Sequence, residues 1–457
     1  MNLSRFLLVA GTTAAALLAP SRAMANPYEK TLANGLRVIV QEDRRAPTAV
    51  HMVWYRAGSM DEVDGTSGVA HVLEHMMFKG TRALKPGEFN QRVAGAGGRD
   101  NAFTSLDYTA YFQQVPSARL GEMMALEADR MTNLVLDAKE FAQEIKVVME
   151  ERRLRTDDNP QSLVHEKQMA AAFQAHPYRR PVIGWMSDLE SMTAADARDW
   201  YRRWYAPNNA YVVVVGDVSR DEVFRLAEKH YGKIPRRVLP ARKPQSEPPQ
   251  VGVKRLTVKA PAKLPYLSLA WKVPALRDLH KDREPYALEM LAGVLDGHDA
   301  ARLARNLVRD AKIAVSAGAG YDPTVRGEAL FMVGGTPANG RSVAELEAAL
   351  RAEIARVASE GVDSRELERV RTQVIAAQVY KRDSMMAQAM EIGRMEAAGV
   401  RWRDIEILLE KIRSVTAEEV RAVAKRYFGD DTLTVAVLDP QPLAGNAAGT
   451  PTAAARH

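Results

Sequence analysis

The sequence predicts an α+β fold of two homologous domains that share a duplicated unit. The chain has 457 residues, a length that favours two or more domains. A helix–turn–strand pattern near residue 200 recurs near residue 420, and a proline-rich segment without apolar periodicity separates the two halves. These three observations predict a first domain over residues 26–234, a linker over 235–250 and a second domain over 251–440.

The composition is that of a globular protein and excludes some classes of function. Hydrophobic residues make up 46% of the chain and charged residues 26%. The 63 Lys and Arg residues nearly balance the 57 Asp and Glu residues and are spread along the chain, so nucleic-acid binding is not expected. The chain has no cysteine, so any metal site must use His, Asp and Glu side chains.

The first 25 residues have the pattern of a signal peptide. MNLSR gives a short positive start, FLLVAGTTAAALLA is an apolar run too short for a comfortable membrane span, and Ala23-Met24-Ala25 fits the cleavage rule. We therefore expect a mature chain that begins at Asn26 in the periplasm of a Gram-negative bacterium, or outside the cell. No membrane span is predicted in the mature chain.

Strand and helix patterns follow one another along the first domain. LRVIV after the turn signal Asn34-Gly35 and AVHMVWY after residue 48 are typical of strands. Helical periodicity covers residues 67–79, 86–94, 118–134 and 138–156. FTSLDYTAYFQQV, residues 103–115, alternates like one strand, and residues 193–218 predict a helix, a turn and a buried strand. Strands LTVKA and YLSLAWKV open the second domain, and residues 441–457 are predicted to be disordered.

The internal repeat is carried by residues that lie 223 positions apart. The matched pairs are Thr193 with Thr416, Ala194 with Ala417, Arg198 with Arg421, Trp204 with Tyr427 and Tyr205 with Phe428. One offset through helix, turn and strand indicates a duplicated unit. The alternative is that two helix–strand endings are alike only in composition.

The stretch HVLEH, residues 71–75, has the residue types of a metal centre. Two histidines four residues apart on a helix point the same way, so His71 and His75 can bind one metal ion. Glu74 lies near the same face and can reach a water molecule without being a ligand. Zinc proteases use this combination, here in the order H-x-x-E-H, which chance produces about once in a hundred chains of this length. The alternative interpretation is an ordinary helix with these polar residues on its solvent-exposed face.

The second half does not repeat this stretch, and the third ligand must come from another element. The 223-residue offset carries His71, Glu74 and His75 onto Val294, Gly297 and His298. A predicted helix, EIKVVMEERR, offers three carboxylates, Glu144, Glu150 and Glu151. Glu144 and Glu151 share a face that also holds Val147 and Val148, where an unpaired carboxylate is costly. Helix geometry alone leaves the choice among the three open.

These motifs resemble the pitrilysin/insulinase family of zinc peptidases, and within it the short two-domain members related to mitochondrial processing peptidase. GVAHVLEHMMFKGT carries the family's H-x-x-E-H signature, and GGRDNAFTSLDYTAYF, HPYRRPVIG and YAPNNAYVVVVGDV match further landmarks in the same order. The resemblance covers about residues 28–440. It implies two α/β-sandwich domains, each a mostly antiparallel sheet packed with helices, which form half of a clamshell chamber.

The resemblance also implies a role for each candidate residue. His71, His75 and Glu151 bind one Zn²⁺ per chain, and Glu74 is the general base in the hydrolysis of a peptide substrate. Glu144 supports a ligand histidine. An edge strand around Asn101 and Ala102 holds the substrate, and Phe78 lines the site.

One departure from the family pattern concerns the partner. Active relatives carry an Arg and a Tyr seven residues apart in the C-terminal half, where this chain has Val308 and Val315. Arg309 and Tyr321 are nearby at the wrong spacing. The chain therefore resembles the zinc-bearing subunit of a heterodimer whose homologous partner supplies the Arg/Tyr pair, although a homodimer is also possible.

Other functions remain open at this stage. A structural core subunit of a complex is one, a maturation protease for a single peptide precursor is another, and a solute-binding protein is a third. The intact HVLEH stretch together with Glu151 argues against the first, and the metal content of the purified protein would distinguish the third.

Overall fold

The computed structural model of the chain describes residues 27–443. The predicted signal peptide lies outside these residues, and so does the predicted disordered tail apart from its first three positions. Within the described residues, no helix combines the length and the apolar character that a membrane crossing needs.

The strands form two sheets, one in each half of the chain. The strands of the first half are β1 Tyr28–Thr31, β2 Arg37–Glu42, β3 Thr48–Tyr55, β4 Arg99–Thr104, β5 Thr109–Pro116 and β6 Ala210–Gly216. Those of the second half are β7 Lys254–Pro261, β8 Tyr266–Val273, β9 Ala314–Tyr321, β10 Ala329–Pro337 and β11 Leu433–Gln441. The last strand therefore reaches one residue into the segment predicted as tail.

The two sheets have the same order and orientation of strands. The first sheet runs β1-β2-β6-β3-β5-β4 and the second β7-β11-β8-β10-β9, so within residues 27–443 the second sheet lacks only a counterpart of β1. Each sheet has one parallel pair, β2 with β6 and β7 with β11, and its other pairs are antiparallel. The predicted α+β class with mostly antiparallel sheets is confirmed, and so is the duplication.

The helices pack against these sheets. Those of the first half are α1 Val69–Met76, α2 Glu88–Gly95, α3 Leu120–Asn133, α4 Ala138–Arg152, α5 Pro160–Ala172, α6 Met186–Ser191, α7 Ala194–Trp204 and α8 Arg220–Tyr231. Those of the second half are α9 Glu284–Asp296, α10 Val343–Glu360, α11 Ser364–Lys381, α12 Met385–Ala397, α13 Ile405–Arg413 and α14 Ala417–Tyr427. Each half has its own apolar core, around Val53 and Leu73 in the first and around Trp271 and Leu291 in the second.

The repeat extends to the capping of matched helices. The 223-residue offset carries Ala194, the first residue of α7, onto Ala417, the first residue of α14. Each helix begins with a capping box, in which the amide of Thr193 or Thr416 donates to an acidic side chain three residues later at 2.8 Å. The sequence match therefore reflects matched local structure.

One predicted strand is wrong. Residues 103–115 form the end of β4, a turn and β5, because the amide of Ser105 donates to the carbonyl of Tyr108 at 2.8 Å and reverses the chain. The alternation of apolar and polar residues continues through this turn, so the pattern did not reveal it. The result is an antiparallel hairpin with β4 at the edge of the sheet.

Each half contributes one helix to the sheet of the other. The side-chain amide of Gln168 in α5 donates to the carbonyls of Ser268 and Thr434 in the second sheet, both at 3.0 Å. In return, α12 packs on the first sheet, where the Tyr211 hydroxyl donates to the carbonyl of Gly393 at 2.7 Å. A Cβ at Gly393 would lie 2.1 Å from the Trp54 ring, so only glycine allows this approach. This exchange interlocks the two halves.

Candidate metal centre

Helix α1 carries the HVLEH stretch and is anchored at its first turn. Its apolar residues belong to the core of the first half, and its polar residues face a cavity. The buried carboxylate of Glu62 accepts hydrogen bonds from the amides of Gly68 and Ala70, both at 2.9 Å. Burial raises the pKa of Glu62 to about 8, and the two amide bonds oppose that shift. A side chain thereby satisfies two of the amides that a helix start leaves without partners.

Helix α4 lies beside α1 and presents two carboxylates to it. Glu144 and Glu151 both face the histidines, whereas Glu150 is exposed and pairs with Arg153 at 2.9 Å. Val148 is fully buried on the inner face, but Val147 is 50% exposed, so only one of the two valines shares that face. The structure therefore excludes Glu150 from the candidate centre.

His71, His75 and Glu151 are brought together by the packing of α1 against α4. One ligand atom from each of the three lies within 4.8 Å of the others, and in residues 27–443 this is the sole such cluster of His, Asp or Glu. His71 Nε2 lies 3.7 Å from Glu151 Oε1, and His75 Nε2 lies 3.3 Å from Glu151 Oε2. Catalytic zinc sites use a donor set of this kind, with three protein ligands and a fourth position on the metal left open. Two imidazole nitrogens and one carboxylate therefore fit zinc.

Glu144 orients His75 from the second helix. Its Oε1 lies 2.8 Å from His75 Nδ1, and its Oε2 lies 2.5 Å from Lys79 Nζ. Burial raises the pKa of Glu144, but the bonds from His75 and Lys79 outweigh it and lower the pKa overall. An ionised Glu144 keeps the proton of His75 on Nδ1, which leaves Nε2 free to bind a metal.

The electrostatics of the centre favour a cation. Burial and the neighbouring His75 lower the pKa of His71 to about 4. Burial also opposes protonation of His75, but bonds to Glu144 and Glu151 raise its pKa to about 9. The two carboxylates thus create a negative potential at Nε2 of His75, which a divalent ion would experience as well.

Glu74 is held next to the three candidate ligands without joining their cluster. It is 8% exposed, and its Oε2 accepts a hydrogen bond from the Thr104 hydroxyl at 2.5 Å. Burial raises the pKa of Glu74 above the usual range of a carboxyl, and the Thr104 bond opposes that shift. A carboxylate of raised pKa beside a metal centre has the properties of a general base.

A cavity of about 850 Å³ is lined by the three candidate ligands. Its walls come from β4, from α5 and the turn before it, and from the loop 178–183. Asn101 and Ala102, for which substrate binding is predicted, line this cavity and lie on the edge strand β4. Phe78 does not belong to the described lining; its ring packs against Phe89 and Tyr111 with the Arg130 guanidinium over its face.

Several lining residues were not predicted from the sequence. Arg155 NH1 lies 2.5 Å from Glu151 Oε1. Arg155 follows Glu151 by four residues on a helical segment, and this spacing could have predicted the contact. Thr104, His165 and Tyr178 also line the cavity. Thr104 and Tyr178 lie in the stretches GGRDNAFTSLDYTAYF and HPYRRPVIG, but nothing in these patterns indicated a contact with the centre, which arises through tertiary packing.

Near positions 308 and 315 of the second half, the side chains of Arg309 and Tyr321 make hydrogen bonds within that half. Val308 lies in a π-helical turn over 303–310, and Val315 is an exposed residue of β9. Arg309 NH1 donates to the carbonyl of Asp299 at 2.6 Å, and the Tyr321 hydroxyl donates to the carbonyl of Pro274 at 2.5 Å. Both side chains are therefore engaged within their own half.

Replacing Glu144 by Ala is expected to weaken zinc binding about 10–100-fold, because His75 loses the group that fixes its tautomer and orientation. A titration of the apoprotein against a chromophoric chelator measures this affinity. Glu150→Ala on the exposed side of the same helix is the control and should bind zinc like the wild type. Equal affinity of the Glu144 variant and the control would show that Glu144 does not support the centre.

Comparison with known proteins finds matches to both halves of the chain. The family model "Insulinase (Peptidase family M16)" matches residues 37–185, and the model "Peptidase M16 inactive domain" matches residues 191–374. The zinc protease PqqE of Helicobacter pylori is 33% identical over 420 residues, which cover 90% of this chain and 92% of that protein.

Two solved structures have the same fold. A protease from Helicobacter pylori has a TM-score of 0.86 and 29% identity, and the match covers 91% of this chain and 99% of that one. The periplasmic protease PqqL of Escherichia coli has a TM-score of 0.78 at 19% identity, and the match covers 91% of this chain but 48% of the other. On the strength of the two domain matches and the PqqE relative, the chain belongs to peptidase family M16, the insulinase family, as a two-domain member.

Proposed function

We propose that the chain is a zinc-dependent endopeptidase that hydrolyses peptides or unfolded segments. The observation that carries this proposal is the convergence of His71, His75 and Glu151 within 4.8 Å, in a cavity with Glu74 beside them. These three side chains would hold one Zn²⁺ per chain. When bound, zinc supplies the Lewis acidity that makes water a nucleophile at neutral pH.

The residues of the chain supply the proton transfers. Water adds to the carbonyl carbon of the scissile bond while Glu74 accepts one of its protons. Glu74 then delivers that proton to the amine nitrogen as the C–N bond breaks. The bond from Thr104 restrains the Glu74 carboxyl, so that the same oxygen pair is in place for both transfers.

The substrate is expected to bind as an added strand. Strand β4 is an edge of its sheet and lines the cavity through Asn101 and Ala102. The amide of Ala102 donates to the Asn101 side chain at 2.8 Å rather than to a neighbouring strand, and an added peptide strand would displace this side-chain oxygen to bond with the amide. Folded proteins do not offer a free strand to such a site, which favours peptides and unfolded segments.

We propose further that the chain is the catalytic subunit of a pair and works in the periplasm, or outside the cell, after removal of residues 1–25. No Arg/Tyr pair occupies positions 308 and 315, and Arg309 and Tyr321 are bound within the second half. The similar PqqL structure spans about twice the matched length. A homologous partner with the Arg/Tyr pair would complete the chamber. A second copy of this chain would do so only if another of its residues replaced that pair.

The test measures hydrolysis of an unstructured peptide library by the mature chain, alone and with a co-purified homologous partner. Cleavage is expected only when the partner is present. Strong cleavage by the chain alone would refute the split site. A zinc-loaded chain that cleaves nothing in either case would instead support a structural subunit, and cleavage of a single precursor would support a dedicated maturation protease.

A further inference from the structure

The loop between β9 and β10, residues 322–328, reaches from the second half to the first half beside the metal centre. Arg277 holds it to the second half by donating to the carbonyl of Val325 at 2.6 Å. On the other side, the amide of Gly327 donates to the Tyr178 hydroxyl at 2.9 Å, and that hydroxyl donates to Asp107 at 2.7 Å. Because Tyr178 lines the cavity, this loop supports one of its walls.

Arg326 in this loop binds two segments of the first half at once. Its NH1 lies 3.1 Å from Asp61 Oδ2 and donates to the carbonyl of Asp107 at 3.1 Å. Its own amide donates to the Asp107 carboxylate at 3.0 Å. Both acidic side chains are almost fully buried, so these bonds form in a setting of low dielectric where they are strong.

The two segments that Arg326 joins lead directly to the reacting groups. Asp61 is followed by Glu62, whose carboxylate caps the first turn of α1 ahead of His71. Asp107 lies in the turn that follows β4, the strand that carries Thr104, which binds Glu74. The segments also bond to each other, since the amide of Met60 donates to the carbonyl of Leu106 at 2.9 Å.

We propose that Arg326 is a positioning residue for the metal centre, supplied by the second half of the chain. It fixes the start of α1 and the end of β4 relative to each other, and so fixes the distance between the ligand histidines and the strand that binds substrate. The second half, which matches a domain named as inactive, thus has a defined part in building the active half. The effect on hydrolysis rests on the proposed function, whereas the effect on zinc binding does not.

The test compares Arg326→Ala with Arg302→Ala in the full-length mature chain. Arg302 is an apt control because it also pairs with a buried carboxylate, with Nε 2.9 Å from Glu366 Oε1, but its bonds stay within the second half. Both variants lose a buried ion pair and should unfold at a lower temperature. Arg326→Ala alone is expected to weaken zinc binding about tenfold in a chelator competition, well below either unfolding temperature.

The kinetic readout separates positioning from general loss of stability. Arg326→Ala is expected to lower kcat by about tenfold as well, while Arg302→Ala keeps both kcat and zinc affinity within about twofold of the wild type. Arg326→Lys keeps the charge but donates hydrogen bonds from one nitrogen atom, so its kcat and zinc affinity should lie between those of Arg326→Ala and Arg302→Ala. It replaces Arg326→Ala in the test if that variant does not fold. Zinc affinities of the Arg326 variants equal to that of Arg302→Ala would overturn the proposal, whether or not the wild type cleaves the peptide.

Discussion

Replacing Glu74 by Gln is expected to lower kcat for peptide hydrolysis by about 10²–10⁴-fold while zinc stays bound. The amide has nearly the shape of the carboxyl and can still accept the hydrogen bond from Thr104. It cannot accept a proton from water at neutral pH, so the step that makes the nucleophile is lost. The ligand cluster does not include Glu74, so zinc affinity should change little.

Single-turnover assays with a fluorogenic peptide and zinc analysis of the same samples measure both quantities. Glu150→Gln is the matched control, because it makes the same chemical change on an exposed carboxylate of α4. A Glu74 variant that retains more than about a tenth of the wild-type rate would show that another group takes the proton.

Replacing Glu151 by Gln is expected to weaken zinc binding at least about a hundredfold and to abolish hydrolysis with it, since even groups outside the ligand set change affinity about 10–100-fold. The carboxylate is the only negative ligand, and a neutral amide oxygen is a poorer donor to zinc. Removing it also leaves His71 and His75 without their common partner at 3.7 and 3.3 Å.

Calorimetric titration of the apoprotein with zinc tests this second effect. The thermal transition offers an independent readout, since zinc at 100 times its Kd stabilises a protein by about 2.7 kcal/mol and the variant should lose that shift. Glu150→Gln, the next residue along the helix, should keep it. If the Glu150 variant lost zinc and the Glu151 variant did not, the assignment of the third ligand would be wrong.

The part of the centre that lies on one helix was predictable, because spacing along a helix sets direction. His71, Glu74 and His75 lie on α1 and face one cavity as their spacing indicates. The carboxylate ligand was harder, because α4 offers Glu144, Glu150 and Glu151 and helix geometry alone leaves the choice open. The packing of α4 against α1 decides it, and that packing is a property of the tertiary structure.

The fold was predictable where local patterns repeat and not where the two halves meet. Matched caps at Thr193 and Thr416 give the duplication a signal in the sequence. Helices α5 and α12 each pack on the sheet of the other half. Their apolar periodicity does not predict this, because an apolar helix face does not specify the surface it packs against. The contacts of Arg326 with Asp61 and Asp107 are equally invisible, because they join residues more than 200 positions apart.

The most direct test of the central claim is mass spectrometry of an unstructured peptide after incubation with the zinc-loaded mature chain and its partner. The wild type is expected to generate new peptide termini that chelation prevents and that zinc restores. The Glu74→Gln chain, loaded with the same amount of zinc, is expected to generate none above background. Equal cleavage by the two chains would contradict hydrolysis at the His71, His75 and Glu151 centre.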